Sequence, residues 1–569
     1  MKKLSALIVL AGMSAFVVAA PVSSRSAPPA IERSADDPAP NPESGAPDPL
    51  APKQSDKPAP LAPGALDNLA RAAPAGDSNP VVVLVRHQLS SAPARQTPSG
   101  REDYDAVVNF YAAAQPPVWT GKDGFTLKAK QAMDEIAKAD EWGLKASAFE
   151  IPALTGALPE DLAKAEVQLS LAVLKYARHA RGGRLNPSTV SRKFDQKPTV
   201  YEPKSVLQAI AATNDADAYL RGLHPKHPQF ERLRQALLPA RKMEAGGERP
   251  AGSKTGASVQ QIIVNMERWR WMPAELGAFH VWDSIPEQMT HVIENGKEVL
   301  AEKIVVGRVS SPTPIFSADM LFVIFHPSWG MPPGMKSAEL APRLRDSGGG
   351  WFSSKPLASE VLKAHGLQVT RNGVAVDPDA IDWKAADIGN FEFEQAAGPT
   401  NVLGIVKFRF PNSHDVYMHD TPERNLFNGR VRAFSHGCMR VQNPLHLAEV
   451  LLTHDKGWPA DKIKEYERHG NEVTLTTPIP VHVTYFTVTV DDAGTVSTWS
   501  DLYGLDSRVA SALEGREIAV TSTAAVPSEQ VAKPVGSRTV QAPRMKPKTR
   551  QKTAAAPLQP FNPFSLFQN

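Results

Sequence analysis

Tyr417-Met418-His419-Asp420-Thr421 and, after a connecting stretch, Ser435-His436-Gly437-Cys438-Met439-Arg440-Val441 are the segments on which the fold of this chain turns. Val416 to Met418 is an apolar, strand-like run that ends on a histidine. Cys438 follows that histidine by nineteen residues, a spacing that suits two adjacent strands joined by a long loop. Asn443-Pro444-Leu445 comes next, with Asn443 suited to cap a helix and Pro444 to its first position. Cys438 is therefore expected on a turn shortly before a helix N-terminus, where unpaired amides and the helix dipole favour negative charge and lower a thiol pKa. Gly437 lets the backbone approach a ligand closely or take a positive φ. A thiol nucleophile needs a base that takes its proton and later returns it to a leaving amine. His419 and His436 compete for that role, the second sharing the face of Cys438 if the backbone is extended. The residues alone leave the choice open, and a structural hydrogen bond is the plainer role for either.

Cys438 is the single cysteine of the chain. Burial statistics favour a bystander for such a thiol, but its local sequence argues for a reactive one. Lys2 and Lys3, the apolar run Leu4 to Val18 and then Ala19-Ala20 have the order of a secretory signal, which predicts an exported, periplasmic protein with residues 1–27 as the signal. A retained anchor is the alternative, although the run is short of the roughly 20 residues of a membrane span. The 569 residues carry 42% hydrophobic and 22% charged side chains with a net charge of +3, ordinary for a soluble multidomain chain. No arginine-rich element or basic-aromatic stripe falls inside the regions expected to fold, so nucleic acid is not an expected partner.

The fold class expected is α+β and multidomain. Residues 28–98 read as a disordered Pro/Ala-rich linker with a short strand at Val81–Arg86. Residues 99–243 read as a mainly helical scaffold domain: Ser99 and Glu102 fit a capping box, and Tyr104, Val107, Val108 and Tyr111 fall on one face. Pro159 opens another helix with Leu162, Ala165, Leu169 and Val173 as its stripe, and similar groups stand at Val206, Leu207, Ile210 and at Phe230, Leu233, Leu237. Residues 244–257 read as a linker. A helix carrying Ile262, Ile263, Met266 and Trp269 then leads into period-two runs, so 258–522 is expected to be a β-rich domain with an insertion at 325–398. Residues 523–569, with Lys533, Arg538, Arg544, Lys546, Lys548, Arg550 and Lys552, read as a disordered basic tail, either solvated or in weak contact with anionic wall polymer or a membrane surface.

The segment from Gly398-Pro399-Thr400-Asn401 to Val441 resembles the catalytic core of L,D-transpeptidases. Val406-Lys407-Phe408, Pro411-Asn412, Tyr417, His419-Asp420-Thr421-Pro422 and Phe427 resemble the large Gram-negative members that bear a helical scaffold. So do Asn265 to Trp271 and Phe325-His326-Pro327 with Trp329, and Phe110-Tyr111 with Pro117-Val118-Trp119 resembles their scaffold. The resemblance implies a peptidoglycan enzyme that joins diaminopimelate residues of neighbouring stem peptides through a Cys438 thioester, with sensitivity to carbapenems. It implies His419 as general base and acid, oriented by the backbone at Asp420, and an oxyanion site from the Gly437 and Cys438 amides with Tyr417. Ser435 and His436 would shape the turn, and Arg440 would position a substrate carboxylate, an internal ion pair being its alternative. No cofactor is implied. A zinc site from Cys438, His419, His436 and His414 has suitable ligand types but no recognised short ligand spacing. The insertion is a candidate lid. A carboxypeptidase or wall-link hydrolase on the same scaffold is the rival enzyme, and an inert wall-binding scaffold the rival outside catalysis. Many such relatives carry a peptidoglycan-binding domain between scaffold and core; here that interval is a short linker.

Overall fold

The computed structural model describes residues 79–91, 97–113, 115–246, 256–348 and 355–516. The segment expected to be a signal, most of the expected first linker and the expected basic tail lie outside the described residues. Val81–Arg86, expected as a strand, belongs instead to the helix Pro80–Leu89. Asn79 accepts a hydrogen bond from the Val81 amide at its start, and Val81, Val85 and Leu89 bury at helical spacing against the scaffold core. The next helix, Pro98–Ala112, is capped by Thr97, whose side chain accepts from the Gly100 amide, rather than by the expected Ser99 box.

The scaffold packs around the helix Pro159–Gly182, which buries residues on most of its circumference, among them Leu162, Leu169 and Val173. Glu166 sits at its centre with no exposure. Such a carboxylate persists only if its oxygens are filled by donors. Tyr111 Oη donates at 2.6 Å, the Val118 and Trp119 amides add to it, and Thr120 donates through both amide and hydroxyl. This network explains why Tyr111 and the Val118-Trp119 pair matter in the scaffold.

The helix Val259–Trp271 begins with a Ser258/Gln261 capping box and joins scaffold to β-domain. Asn265 holds the Thr487 amide at 2.9 Å, and Arg268 reaches Asp506 at 2.6 Å on the β-domain side. On the scaffold side Glu267 accepts from the Arg184 and Leu185 amides, and Arg270 donates to the carbonyls of Trp142 and Ala180.

Beyond it lies a sheet whose nine strands are β1 (Phe279–Ser284), β2 (Met289–Glu294), β3 (Lys297–Gly307), β4 (Phe316–Phe325), β5 (Val406–Arg409), β6 (Met418–His419), β7 (Ala433–Ser435), β8 (Met439–Val441) and β9 (Glu472–Thr484). Their order is β7-β3-β8-β6-β5-β4-β9-β1-β2, and β2 also pairs with β3, which closes the sheet like a barrel. Val281, Val323, Phe325, Val406, Phe408, Met418 and Met439 fill its core, joined by Leu447 and Leu451 of the helix Pro444–Lys456.

The insertion is a subdomain hung between neighbouring strands, since β4 and β5 pair directly through Phe325 and Val406. Trp329, Leu344, Leu367, Trp383 and Phe393 form its own core, which continues to Val402 and Leu403, a few residues past the expected end at 398. The chain returns through Gly404, at φ 59°, where a Cβ would stand 2.2 Å from the Asp420 carboxylate. Only glycine fits there, and Asp420 uses the space to accept the Ile405 amide at 2.9 Å.

Candidate active site

β6 runs parallel to β8, with Met418 opposite Met439 and His419 opposite Arg440, and antiparallel to β5, with Lys407 opposite His419. Paired residues project on the same side of a sheet and neighbours along a strand alternate. The methionines therefore point into the core, whereas Lys407, His419 and Arg440 share the other face with Tyr417 and Cys438. Cys438 stands just before β8, where Met439 donates its amide to the Tyr417 carbonyl at 3.1 Å. The thiol is half-buried, its sulfur 3.9 Å from the Asp415 carbonyl oxygen. Both the amide and the hydroxyl of Tyr417 hydrogen-bond it.

His419 is buried, and its Nδ1 donates in a very short hydrogen bond to the Asp420 carbonyl. A carbonyl only accepts, so the proton is on Nδ1 and Nε2 keeps its lone pair. Burial lowers the imidazole pKa to about 3, with the Arg440 and Lys407 charges adding to the effect. Burial also raises the thiol, although the Tyr417 amide, Lys407, Arg440 and the Tyr417 hydroxyl pull it back. The resting pair is thus neutral thiol and neutral imidazole. This corrects the expectation of a lowered thiol pKa: burial of the sulfur outweighs the donors and charges around it.

The turn is built by Ser435, whose Oγ accepts from the Gly437 amide at 3.1 Å and donates to the Cys438 carbonyl at 2.5 Å. Gly437 lies at φ 129°, and its carbonyl accepts from the Thr313 hydroxyl at 2.8 Å. Its amide is therefore engaged with Ser435 instead of facing a substrate oxyanion, a second departure from expectation. His436 turns away from the sulfur, with Nε2 2.8 Å from Glu339 Oε1 of the insertion. Arg440 is 1% exposed and makes the internal ion pair, 3.1 Å to Glu423, that was its alternative reading. The Asp420 carboxylate accepts from the Thr421 and Ile405 amides and pairs with Arg424 at 2.5 Å, so it locks the backbone that orients His419. His414 is held by Asp195 of the scaffold at 3.1 Å. The four candidate zinc ligands are thus drawn to different partners.

Lys407 was quoted in the sequence without a role. Its ammonium lies 3.8 Å from the centroid of the Tyr417 ring, and Tyr417 also packs against the core of the insertion. A lysine between Val406 and Phe408 in a buried strand was the available signal. The contacts of Glu339 and Asp195 had none, because both reach the site from distant segments.

A helical scaffold bolted to a closed β-domain, with a thiol and an imidazole on one sheet face, defines the class of this chain. Residues 105–237 match the model of a scaffold domain and residues 278–479 that of the L,D-transpeptidase catalytic domain. A putative L,D-transpeptidase of Haemophilus influenzae is 30% identical over 266 residues, 45% of this chain and 50% of that one. The chain thus spans about half the length of the curated relative it matches. Among solved structures, an L,D-transpeptidase from Mycobacterium smegmatis is 14% identical, covering 36% of this chain and 58% of its own, with a TM-score of 0.19. An L,D-transpeptidase in complex with imipenem is 17% identical, covering 36% and 59%, with a TM-score of 0.17.

Proposed function

We propose that this chain is a cysteine-dependent peptidoglycan L,D-transpeptidase, exported to the periplasm, that cross-links diaminopimelate residues of neighbouring stem peptides. The observation that supports the reading is the parallel pairing of β6 with β8, with His419 on the sheet face that Cys438 also faces and the imidazole in its proton-accepting form. As the sulfur attacks the diaminopimelate carbonyl of a donor tetrapeptide, His419 Nε2 takes the thiol proton. The Cys438 amide and Tyr417 hydroxyl stabilise the oxyanion. The carbon–nitrogen bond breaks, the proton passes from His419 to the departing D-alanine amine, and a thioester remains. The side-chain amine of an acceptor diaminopimelate then gives its proton to His419 and attacks the thioester, and the thiol leaves reprotonated. Water in place of the amine would give the carboxypeptidase reaction.

Intact-mass spectrometry with a carbapenem, followed by product analysis with paired muropeptides, tests this. Wild type is expected to gain one covalent adduct on Cys438 and to yield dimeric muropeptide, and Cys438→Ala neither. An adduct that survives in Cys438→Ala would sink the assignment, and monomeric tripeptide alone would convert it to a hydrolase.

A further inference from the structure

Residues 193–195 of the scaffold meet two chain segments that both touch the catalytic turn. Phe194 forms a parallel bridge with Ile315: the Ile315 amide donates to the Lys193 carbonyl at 2.7 Å, and the Asp195 amide to the Ile315 carbonyl at 2.9 Å. Phe194 is buried in the same core as Ile315 and Phe316, which seats this backbone firmly. Two residues before Ile315, Thr313 donates its hydroxyl to the Gly437 carbonyl at 2.8 Å. On the other side, Asp195 Oδ2 accepts from Ser413 Oγ and from His414 Nε2, each at 3.1 Å. A carboxylate only accepts, so His414 Nε2 carries a proton. The next residue, Asp415, holds φ 52°, a region that residues with a Cβ enter at a cost. Its carbonyl oxygen stands 3.9 Å from Cys438 Sγ.

We propose that Asp195 is a positioning residue for Cys438: through Ser413 and His414 it holds the Asp415 carbonyl against the thiol, and so fixes where the sulfur stands. The proposal rests on the transpeptidase reading above, to which it adds a side chain of the scaffold. Asn412 shapes the loop from within, its Oδ1 accepting from the His414 and Val416 amides and its Nδ2 donating to the Phe410 and Val416 carbonyls. Those bonds close the loop on itself, whereas the bonds to Asp195 tie it to another domain. A cleft of about 400 Å³, lined by Asp195, Trp271, Phe316, Asn412 and Ser413, opens beside the loop. The loop therefore has room to shift once Asp195 lets go. An S–H group has one proton to donate, so a carbonyl in a fixed place selects among the rotamers of the cysteine. Such placement matters for rate, since a misplacement of about 1 Å can cost about 10²-fold.

Cys438 is the single cysteine of the chain, so the S–H stretching band in a Raman spectrum reports on this sulfur and no other. Hydrogen bonding lowers the frequency of such a band. In full-length Asp195→Ala the band should move to higher frequency. The limiting rate of Cys438 acylation by a carbapenem should fall by about tenfold, with the half-saturating concentration nearly unchanged. Asp195→Asn, which keeps an acceptor oxygen for Ser413, should restore part of both. Asp195→Ala combined with His414→Ala should be no slower than Asp195→Ala alone, because both act through one contact. A band or a limiting rate in Asp195→Ala equal to that of wild type would overturn the proposal, since a slow rate with an unmoved band is what general loosening of the fold would give. Should Asp195→Ala fail to fold, Ser413→Ala combined with His414→Ala removes the same contacts from the other side and is judged by the same two readings. A wild-type protein that neither a carbapenem nor a tetrapeptide donor acylates would instead remove the transpeptidase reading, and the band would still decide whether Asp195 holds the sulfur.

Discussion

His419→Ala is expected to slow acylation of Cys438 by about 10²–10⁴-fold, the usual worth of a positioned general base. The pH dependence should change with it, and the sign follows from two opposite shifts. His419 is neutral above about pH 3, and the thiol, raised above its ordinary value of 9.0, keeps its proton well into alkali. Between those limits the reacting pair has one composition, thiol plus imidazole, so the wild-type rate should form a plateau with no inflection at the ordinary imidazole value of 6.5. Without the imidazole only the thiolate attacks, and its population climbs about tenfold per pH unit below the thiol pKa. The variant's rate should climb accordingly. Stopped-flow acylation across pH reads both profiles, and the ultraviolet absorbance of the thiolate should be absent at neutral pH in wild type. A His419→Ala protein as fast as wild type, or one whose slow rate ignores pH, would take the base away from His419.

The sequence placed His419 and Cys438 on neighbouring strands because two short apolar runs, nineteen residues apart and each next to a chemically unusual side chain, leave few other arrangements. It misjudged the ionisation of the thiol because burial of the sulfur, which one sequence does not display, outweighs the donors around it. Val81–Arg86 misled for a different reason. Three consecutive valines have strand propensity, but burial at every fourth position against the scaffold, with a capped start at Asn79, outweighs it. The burial patterns at Val206, Leu207, Ile210 and at Phe230, Leu233, Leu237 were legible because helical period and tertiary packing agree there. What one sequence could not display are contacts between remote segments: Glu339 on His436, Asp195 on His414, and the charged interior of the joining helix.

That helix carries the second large effect. Glu267→Ala should destabilise the protein by about 3–5 kcal/mol, as removal of one member of a buried charged set does. Glu267 has no exposure and accepts from the Arg184 amide at 2.5 Å and the Leu185 amide at 3.0 Å. The chain wraps it so closely that a Cβ on Gly183, at φ 86°, would come within 2.6 Å of its carboxylate. Arg270, also fully buried, is its countercharge, and without it burial would weigh on that guanidinium, whose pKa already falls to about 10. Alanine thus leaves two amides without an acceptor and one charge without compensation, at the joint between scaffold and β-domain. The loss should vary with pH. Burial raises the Glu267 pKa above its ordinary 4.5, so the folded state binds the proton more tightly than the unfolded chain. The stability from that protonation is complete below 4.5 and declines as pH rises through the folded value. The gap between wild type and Glu267→Ala, measured by denaturant unfolding, should therefore be wider at pH 4.5 than at pH 7. A gap under about 1 kcal/mol at both pH values, the level of an ordinary surface substitution, would mean that this helix does not hold the two domains together through its buried charges.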